Sequence, residues 1–561
     1  MAMCTFPAKG AVCGLDKSRL GNPSTGGHRQ CHGMTYAGSR TSSGWPRTTS
    51  FISGTAARWR APATRAKRYP CMAAWMCTTA CWSLPARTRC ALSMAPPGAI
   101  WLNRMTNERE RATMPAHLIP GAIPPLVRRH AEDAAFYWNR HDASADSPRL
   151  GLAALGSFSQ LLVAHLEGLA VAGAHAWPHC HAALERWKKP AEAFVCAYVA
   201  FAMAEPAYSE ALLKQLRAHP DQLLRGVVSA LAWLPAADAG RVIAQWTGTD
   251  SDSVMQVAAL RAIALIGGEA ALVMARPLAI FLADPDPHVR AAACRAAAAL
   301  PGASGHWDGV HALLDDPVAA VRAEAAIAIG SLAGHARPGA AWPFLPILWH
   351  CVATQAELAA GASGWYRMQA QRRLERWVQQ LALLQPPGAV CAAALAALPA
   401  RVRLCFVAWH GDPCHLPLVI EHMDMPGLER YAGWVWQTMT GVDLVASGLG
   451  GSEPERDQPT PRVSGVGTDA DFGLALPDVA AVRHHPSGGL SHGLRYLAGA
   501  VLTPARAREL LRDAPQALRS IAAASLQQSH PGLRVHVRAS ALVQQACIAR
   551  IDAMLAGAAV R

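Results

Sequence analysis

Asp284-Pro-Asp-Pro-His-Val-Arg-Ala-Ala-Ala-Cys-Arg295 is answered thirty-two residues later by Asp316-Pro-Val-Ala-Ala-Val-Arg-Ala-Glu-Ala-Ala-Ile327. Aligning Asp284-Pro285 with Asp316-Pro317 also aligns Val289-Arg290 with Val321-Arg322. A third copy places Asp252 and Val257 at the same interval, and Leu224 falls one residue further upstream. A period of this size, carrying two helices per unit, marks a stacked helical solenoid, because a lone helix pair cannot bury both of its faces.

The recurring residues have a physical reason. In Asp286-Pro287 and Asp316-Pro317 the aspartate can accept from the free N–H groups of a helix start, and proline at the next position gives up no hydrogen bond. Val318, Val321, Ala325, Ile329 and Leu332 then follow at helical spacing, and the abundant alanine lets neighbouring helices approach closely. Companion helices are expected over Arg241–Trp246, Leu272–Leu282 and Trp307–Leu314. Two readings exist for Arg290 and Arg322: a ladder reaching acids of adjacent repeats, or solvated surface arginines. The second is favoured, since exposed pairs contribute only about 0–1 kcal/mol.

Working outward, helical periodicity begins at Ile123 and is predicted over Leu126–Arg140 and Leu152–Val171, with breaks at Pro178, Pro190 and Pro206. Beyond Leu332 it continues over Trp365–Leu384, Val390–Leu398, Val402–Trp409, Leu416–Met423 and Leu428–Met439. Asp412-Pro413 repeats the cap signature. Gly, Ser, Pro and Asp then dominate 446–471, and helices return over Pro504–Leu511, Pro515–Gln528 and Ala539–Leu555; Leu533–Val537 is the one brief strand candidate. The expected fold is therefore all-α, an α-solenoid with a C-terminal helical segment. It divides into a non-globular 1–113, an N-terminal helical region 114–220, a repeat solenoid 221–444, a flexible linker 445–476 and a C-terminal helical region 477–561.

Residues 1–113 lack periodicity and hold sixteen of the 52 Lys and Arg but only Asp16, Glu108 and Glu110 of the 39 acids, leaving 36 of each sign in the remainder. The leading expectation is a translation of upstream DNA in a non-native frame, with the start at Met105 or Met114. The alternatives are a basic disordered arm and a zinc site from Cys71, Cys77, Cys81 and Cys90, whose spacings fit no familiar ribbon or finger. Neutrality after residue 113 argues against a nucleic-acid partner, because counterion release needs clustered cations. No run approaches the roughly 18 uninterrupted apolar residues of a membrane span. The expectation is a cytoplasmic protein with no membrane partner.

Four segments carry a resemblance: His130-Ala-Glu-Asp-Ala-Ala-Phe-Tyr-Trp138, Ala164-His-Leu-Glu-Gly-Leu169, Gly411-Asp-Pro through Thr440-Gly-Val-Asp-Leu444, and Arg495-Tyr-Leu-Ala-Gly499. With the Asp-Pro-x-x-x-Val-Arg units, which look like HEAT repeats of the bilin-lyase-like type, they resemble an uncharacterised HEAT-repeat family encoded beside bacterial type VI secretion genes. The resemblance covers residues 120 to 555. It implies a cytoplasmic accessory role near a contractile secretion machine, and it brings no catalytic residues.

No His-Glu dipeptide, HExxH, Walker A loop or GxGxxG occurs, and no catalytic, cofactor or metal residue is assigned. His175, His179, Cys180 and His181 form the best leftover metal candidate, but near neighbours on a helix point apart. His484, His485 and His492 read as loop residues. Asp284, Asp286, Arg290, Asp316, Val321 and Arg322 are assigned structural, capping roles. Trp409, Trp434 and Trp436 are candidates for protein binding, since tryptophan is enriched at interface hot spots, although core packing is the expectation for at least one of the last two. The function expected is a noncatalytic scaffold or adaptor for another protein, a type VI secretion component or effector. The alternatives are an enzyme with an unrecognised site on the same scaffold and a nucleic-acid-binding solenoid.

Overall fold

Proline sets the first helix starts: α1 (Pro124–Ser144), α4 (Pro190–Met203), α5 (Pro206–Ala218) and α6 (Pro220–Trp233) each carry it in their first turn, where a missing N–H costs nothing. The structure is a computed structural model describing residues 122–559 apart from 268–272, 301–305, 334–342, 390, 452–470, 472, 487–488 and 531–532. All of these fall in the unit containing Met105–Arg561. Residues 1–113, the zinc alternative within them and the start at Met105 or Met114 lie outside the described residues, as does most of the expected linker.

The described chain is all-α apart from one small hairpin. Between the proline-started helices lie α2 (Leu152–Ala172) and α3 (Ala176–Trp187), and α7 (Ala236–Trp246), α8 (Ser253–Ile266), α9 (Leu278–Leu282), α10 (Pro287–Ala297), α11 (Trp307–Ala312) and α12 (Ala319–Ala333) follow. Next come α13 (Phe344–Gly361), α14 (Gly364–Leu384), α15 (Ala392–Ala396), α16 (Ala400–His410), α17 (Leu416–His422), α18 (Glu429–Thr440) and α19 (Val479–His484). The chain closes with α20 (Pro504–Asp513), α21 (Gln516–Ser529) and α22 (Ala541–Ala559).

Alternate helices pack on one another. The series α4, α6, α8, α10, α12, α14, α16, α18 is in contact at every step, and α5, α7, α9, α11, α13 and α17 lie beside it. The alanine-rich faces make this close packing possible: in α10, Ala292, Ala293, Ala296 and Ala297 are all buried, and in α12 so are Ala323, Ala325, Ala326 and Ala328. One apolar core runs from Val127 to Val482, without a break at residue 220.

The C-terminal part returns to the first helices. Gln516 N donates to the Leu150 carbonyl (2.8 Å), Ala517 N to that of Ser147 (3.0 Å) and Ala541 N to the Ser159 hydroxyl (3.2 Å). A second core, from Leu152 to Ile551, joins α2 to α20, α21 and α22, and Trp409 packs against both cores. The described ends of the expected linker are tied together: Gly451 N donates to the Leu476 carbonyl and Asp478 N to that of Leu449, each at 2.8 Å.

Pro178 lies inside α3 instead of breaking a helix, because proline is tolerated in a first turn, and the helix expected over Leu272–Leu282 begins at Leu278, after Pro277. Two further local readings change. Leu533–Val537 is not a strand; the only strands among the described residues are β1 (Tyr496–Leu497) and β2 (Ala500–Val501). Their turn, Ala498-Gly499, has positive φ at both positions (51° and 79°), the two-residue hairpin geometry. Secondly, the helical stretch Leu152–Trp187 is long and apolar enough by composition to cross a membrane. Ser157, Gln160, His165 and Glu167 interrupt it in sequence, so no unbroken apolar run announces it. Gly173 (φ 57°) interrupts the helix, and Leu155, Leu162, Leu166 and Leu169 are spent on the protein core.

Candidate functional site

The capping residues stand where the spacing put them. Asp252 accepts from Met255 N (3.0 Å), Asp286 from His288 N (2.8 Å), Asp316 from Val318 N (2.8 Å) and Asp412 from Cys414 N (3.0 Å). Asp284 acts one step earlier, accepting from Asp286 N (2.9 Å) and so holding the cap in position. Val321 is completely buried, whereas Val318 is 37% exposed and lies off the packed stripe.

The solvated-surface reading of the arginines is corrected. Arg290 donates to Asp316 of the next unit at 2.8 Å and to the carbonyls of Asp284 and Pro285 of its own; its side chain is only 14% exposed and that of Asp316 4%. Arg322 repeats the backbone half, bonding the carbonyls of Asp316 (2.7 Å) and Pro317 (3.1 Å). Spacing could not reveal this, because a cap aspartate with one oxygen on a helix N–H still has another free for a cation.

Deeper between these helices, Glu324 on α12 is buried and receives Arg295 from α10 (2.6 Å), Arg376 from α14 and the Trp377 indole N–H (3.0 Å). Burial alone would raise the carboxyl pKa; the two guanidinium charges and the hydrogen bonds from Arg295 and Trp377 overcome it and hold the group at about 2. One carboxylate thus ties three stacked helices. Farther along the series, Gln369 of α14 donates to the Asp221 carbonyl of α6 at 2.6 Å.

The three tryptophans divide, one in the core, as expected for at least one of Trp434 and Trp436, and two partly buried. Trp436 is fully buried, edge-on to His485, and presents nothing to a partner. Trp409 is partly buried between the two cores. Trp434 stacks on Tyr431 at 5.5 Å, and Arg401 covers that tyrosine at 4.3 Å while forming two hydrogen bonds to Asp471.

The segments that carry the resemblance build two junctions. In the first, His130 and His165 meet Nδ1 to Nδ1 at 3.0 Å, and Tyr137 stacks on His165 at 5.5 Å. Gly168 lies against the His130 ring so closely that a Cβ there would come within 2.8 Å of it. In the second, Arg495 spends both terminal nitrogens on the carbonyls of Ala382, Leu383, Gln385 and His410, which end α14 and α16. Tyr496 N donates to Gly411 O, Ala498 N to Thr438 O and Gly499 N to Met439 O. Gly411 and Gly441, both at φ 72°, pass so close to this strand that a Cβ would lie within 2.8 Å of its backbone. Asp412 accepts from Gly388 N (2.7 Å) and Gly493 N (3.2 Å). Nearby, burial and then the Arg495 charge push the His410 pKa down to about 3.

Of the leftover histidines and cysteine, Cys180 is buried with its thiol pushed up to about 12 by burial. His181 stacks on Trp177, and His179 lines a surface cleft with Pro124, Pro125, Arg128, Arg129 and Glu132. No group of three or more His, Cys, Asp or Glu positioned for a metal ion occurs among the described residues. His484 and His485 end α19, with His484 hydrogen-bonded to the Ala480 carbonyl.

No family model, curated protein or solved structure matches the chain.

Proposed function

We propose that the protein is a noncatalytic HEAT-type helical-repeat scaffold of the cytoplasm that docks another protein, as an accessory factor of a type VI secretion machine. The observation that supports it is the recurrence of one structural unit: Asp252, Asp286 and Asp316 cap successive stacked helices, and Arg290 reaches from one unit to the cap of the next. Units stacked in series extend a surface, the arrangement that repeat proteins use for binding. The proposed docking surface lies at the companion helix α9, where Val273 just before it and Ile280 within it remain 39% and 45% exposed.

Affinity capture from the native host, with the wild-type chain and Ile280→Asp side by side, tests the reading. Enrichment of a secretion-locus protein by the wild type and its loss with Ile280→Asp is the expected result. Enrichment of no such protein, or retention by both chains alike, rejects it.

A further inference from the structure

After residue 113 the chain has only three lysines, Lys188, Lys189 and Lys214, and the structure gathers them at one place. Glu185–Lys189 are five consecutive exposed residues at the end of α3, and Lys188, with φ 49°, turns the chain out of the helix there. Gln215 of α5 bonds Glu185 at 3.4 Å, which brings its exposed neighbour Lys214 beside this tip. In the middle stands Trp187, half exposed, with the Arg186 guanidinium 4.8 Å and the Lys189 ammonium 5.4 Å from its ring centre.

Many of the arginines elsewhere are fastened, some to carboxylates and others, such as Arg322 and Arg495, to backbone carbonyls. Arg225, Arg290, Arg295, Arg376, Arg401 and Arg538 are held by carboxylates, whereas among the described residues Arg186 and the three lysines hold no salt bridge. Glu185, next to Arg186, is shared with His181 (3.7 Å) and Gln215, and Lys189 acts on Glu192, whose carboxyl pKa is raised by burial, an effect that the Lys189 charge partly offsets. Lysine is a compact, strongly hydrated point charge, suited to a diffuse anionic surface and poor at the bidentate pairing for which arginine is used elsewhere.

We infer that the α3 tip, Arg186, Trp187, Lys188 and Lys189 with Lys214 beside it, docks the protein peripherally on an anionic lipid surface. Shape selects this occupant. A helix end with every residue exposed is convex, so it cannot wrap an acidic peptide or a nucleic-acid strand, but it meets a plane along all its side chains. Tryptophan prefers the bilayer interface, and each basic residue held near an anionic leaflet adds attraction. The expectation of no membrane partner rested on spanning segments and on charge averaged along the chain, neither of which registers a local tip. The tip would bind lipid whether or not the helix stack carries a protein partner.

Co-sedimentation of the full chain with vesicles of mixed phosphatidylcholine and phosphatidylglycerol, against phosphatidylcholine alone, tests it. The wild type is expected to bind the mixed vesicles, weaken with added salt and leave the neutral ones. The Lys188→Gln/Lys189→Gln variant should partition roughly twenty-five-fold less, each of its two lost charges being worth roughly fivefold. Trp187→Ala should also bind less, with less change in salt dependence. Equal binding by wild type and the lysine variant overturns the inference, as does equal binding to both vesicle types. Loss of DNA or RNA oligomer binding in the lysine variant, with vesicle binding intact, overturns it in favour of nucleic acid. These side chains are exposed, so an unchanged melting curve confirms that each variant is folded.

Discussion

Arg290 Nε donates to Asp316 Oδ2 at 2.8 Å, so the first turn of one stacked helix holds the cap of the next. Arg322 bonds only the backbone of that same aspartate, at 2.7 Å. A double-mutant cycle separates the two. Arg290→Ala with Asp316→Ala should show a coupling of about 1–2 kcal/mol in denaturant unfolding, and Arg322→Ala with Asp316→Ala almost none. Equal couplings would mean that the side-chain contact across units is not formed in solution.

Val321→Asp is expected to unfold the middle of the stack, because a completely buried position would receive an unpaired charge. Val318→Asp, three residues earlier and 37% exposed, should change stability by no more than about 0.5 kcal/mol. Helicity and melting followed by circular dichroism distinguish them; similar curves for the two variants would contradict the packing of α12.

Glu324→Gln should cost roughly 2–3 kcal/mol, since Arg295 and Arg376, themselves only partly buried, would lose the buried carboxylate between them. The wild-type group titrates at about 2 in the fold against an ordinary 4.5. A depressed carboxylate stabilises fully above the unfolded value, so this contribution is present above pH 4.5 and drains away as pH falls from there towards 2. The glutamine variant should lack that part of the stability profile measured by urea unfolding.

Histidine adds an earlier acid window. Burial, followed by the charges around it, holds His410 at about 3; burial likewise holds His141 at about 4 and His536 at about 3, against an ordinary 6.5. For a base whose folded pKa is lowered, the neutral form is the one the fold accepts. Its contribution is present above pH 6.5 and is lost as pH drops below that value towards the folded pKa. Stability should therefore begin to fall below pH 6.5, and His410→Asn should shallow that slope; a flat profile between pH 6.5 and 4.5 would contradict the burial of all three.

Arg495→Lys is expected to fail as a replacement, because four carbonyls at the ends of α14 and α16 use the planar fork of the guanidinium. Hydrogen exchange should rise first at Tyr496, Ala498 and Gly499, whose amides bond Gly411, Thr438 and Met439. Protection equal to wild type in this strand would show that Arg495 does not fasten it.

Many helices and their starts were legible in the chain alone, although α13 was not expected and α9 begins only at Leu278. Asp286-Pro287, Asp316-Pro317 and Asp412-Pro413 became caps because capping is local: the aspartate and the N–H it satisfies lie within two residues. Val321 and Ala325 are buried for the same kind of reason, a spacing that places them on one helix face. What those helices bring together was settled in three dimensions. Arg290 with Asp316, Glu324 with Arg376, Gln369 with Asp221 and Arg495 with the ends of two helices are separated by 26, 52, 148 and up to 113 residues. No periodicity records such pairs, because their geometry depends on the angle and offset at which whole helices pack. The same holds for Trp436, whose residue type suits an interface as well as a core, and for the lysine tip, which is three scattered letters until α3 and α5 lie side by side.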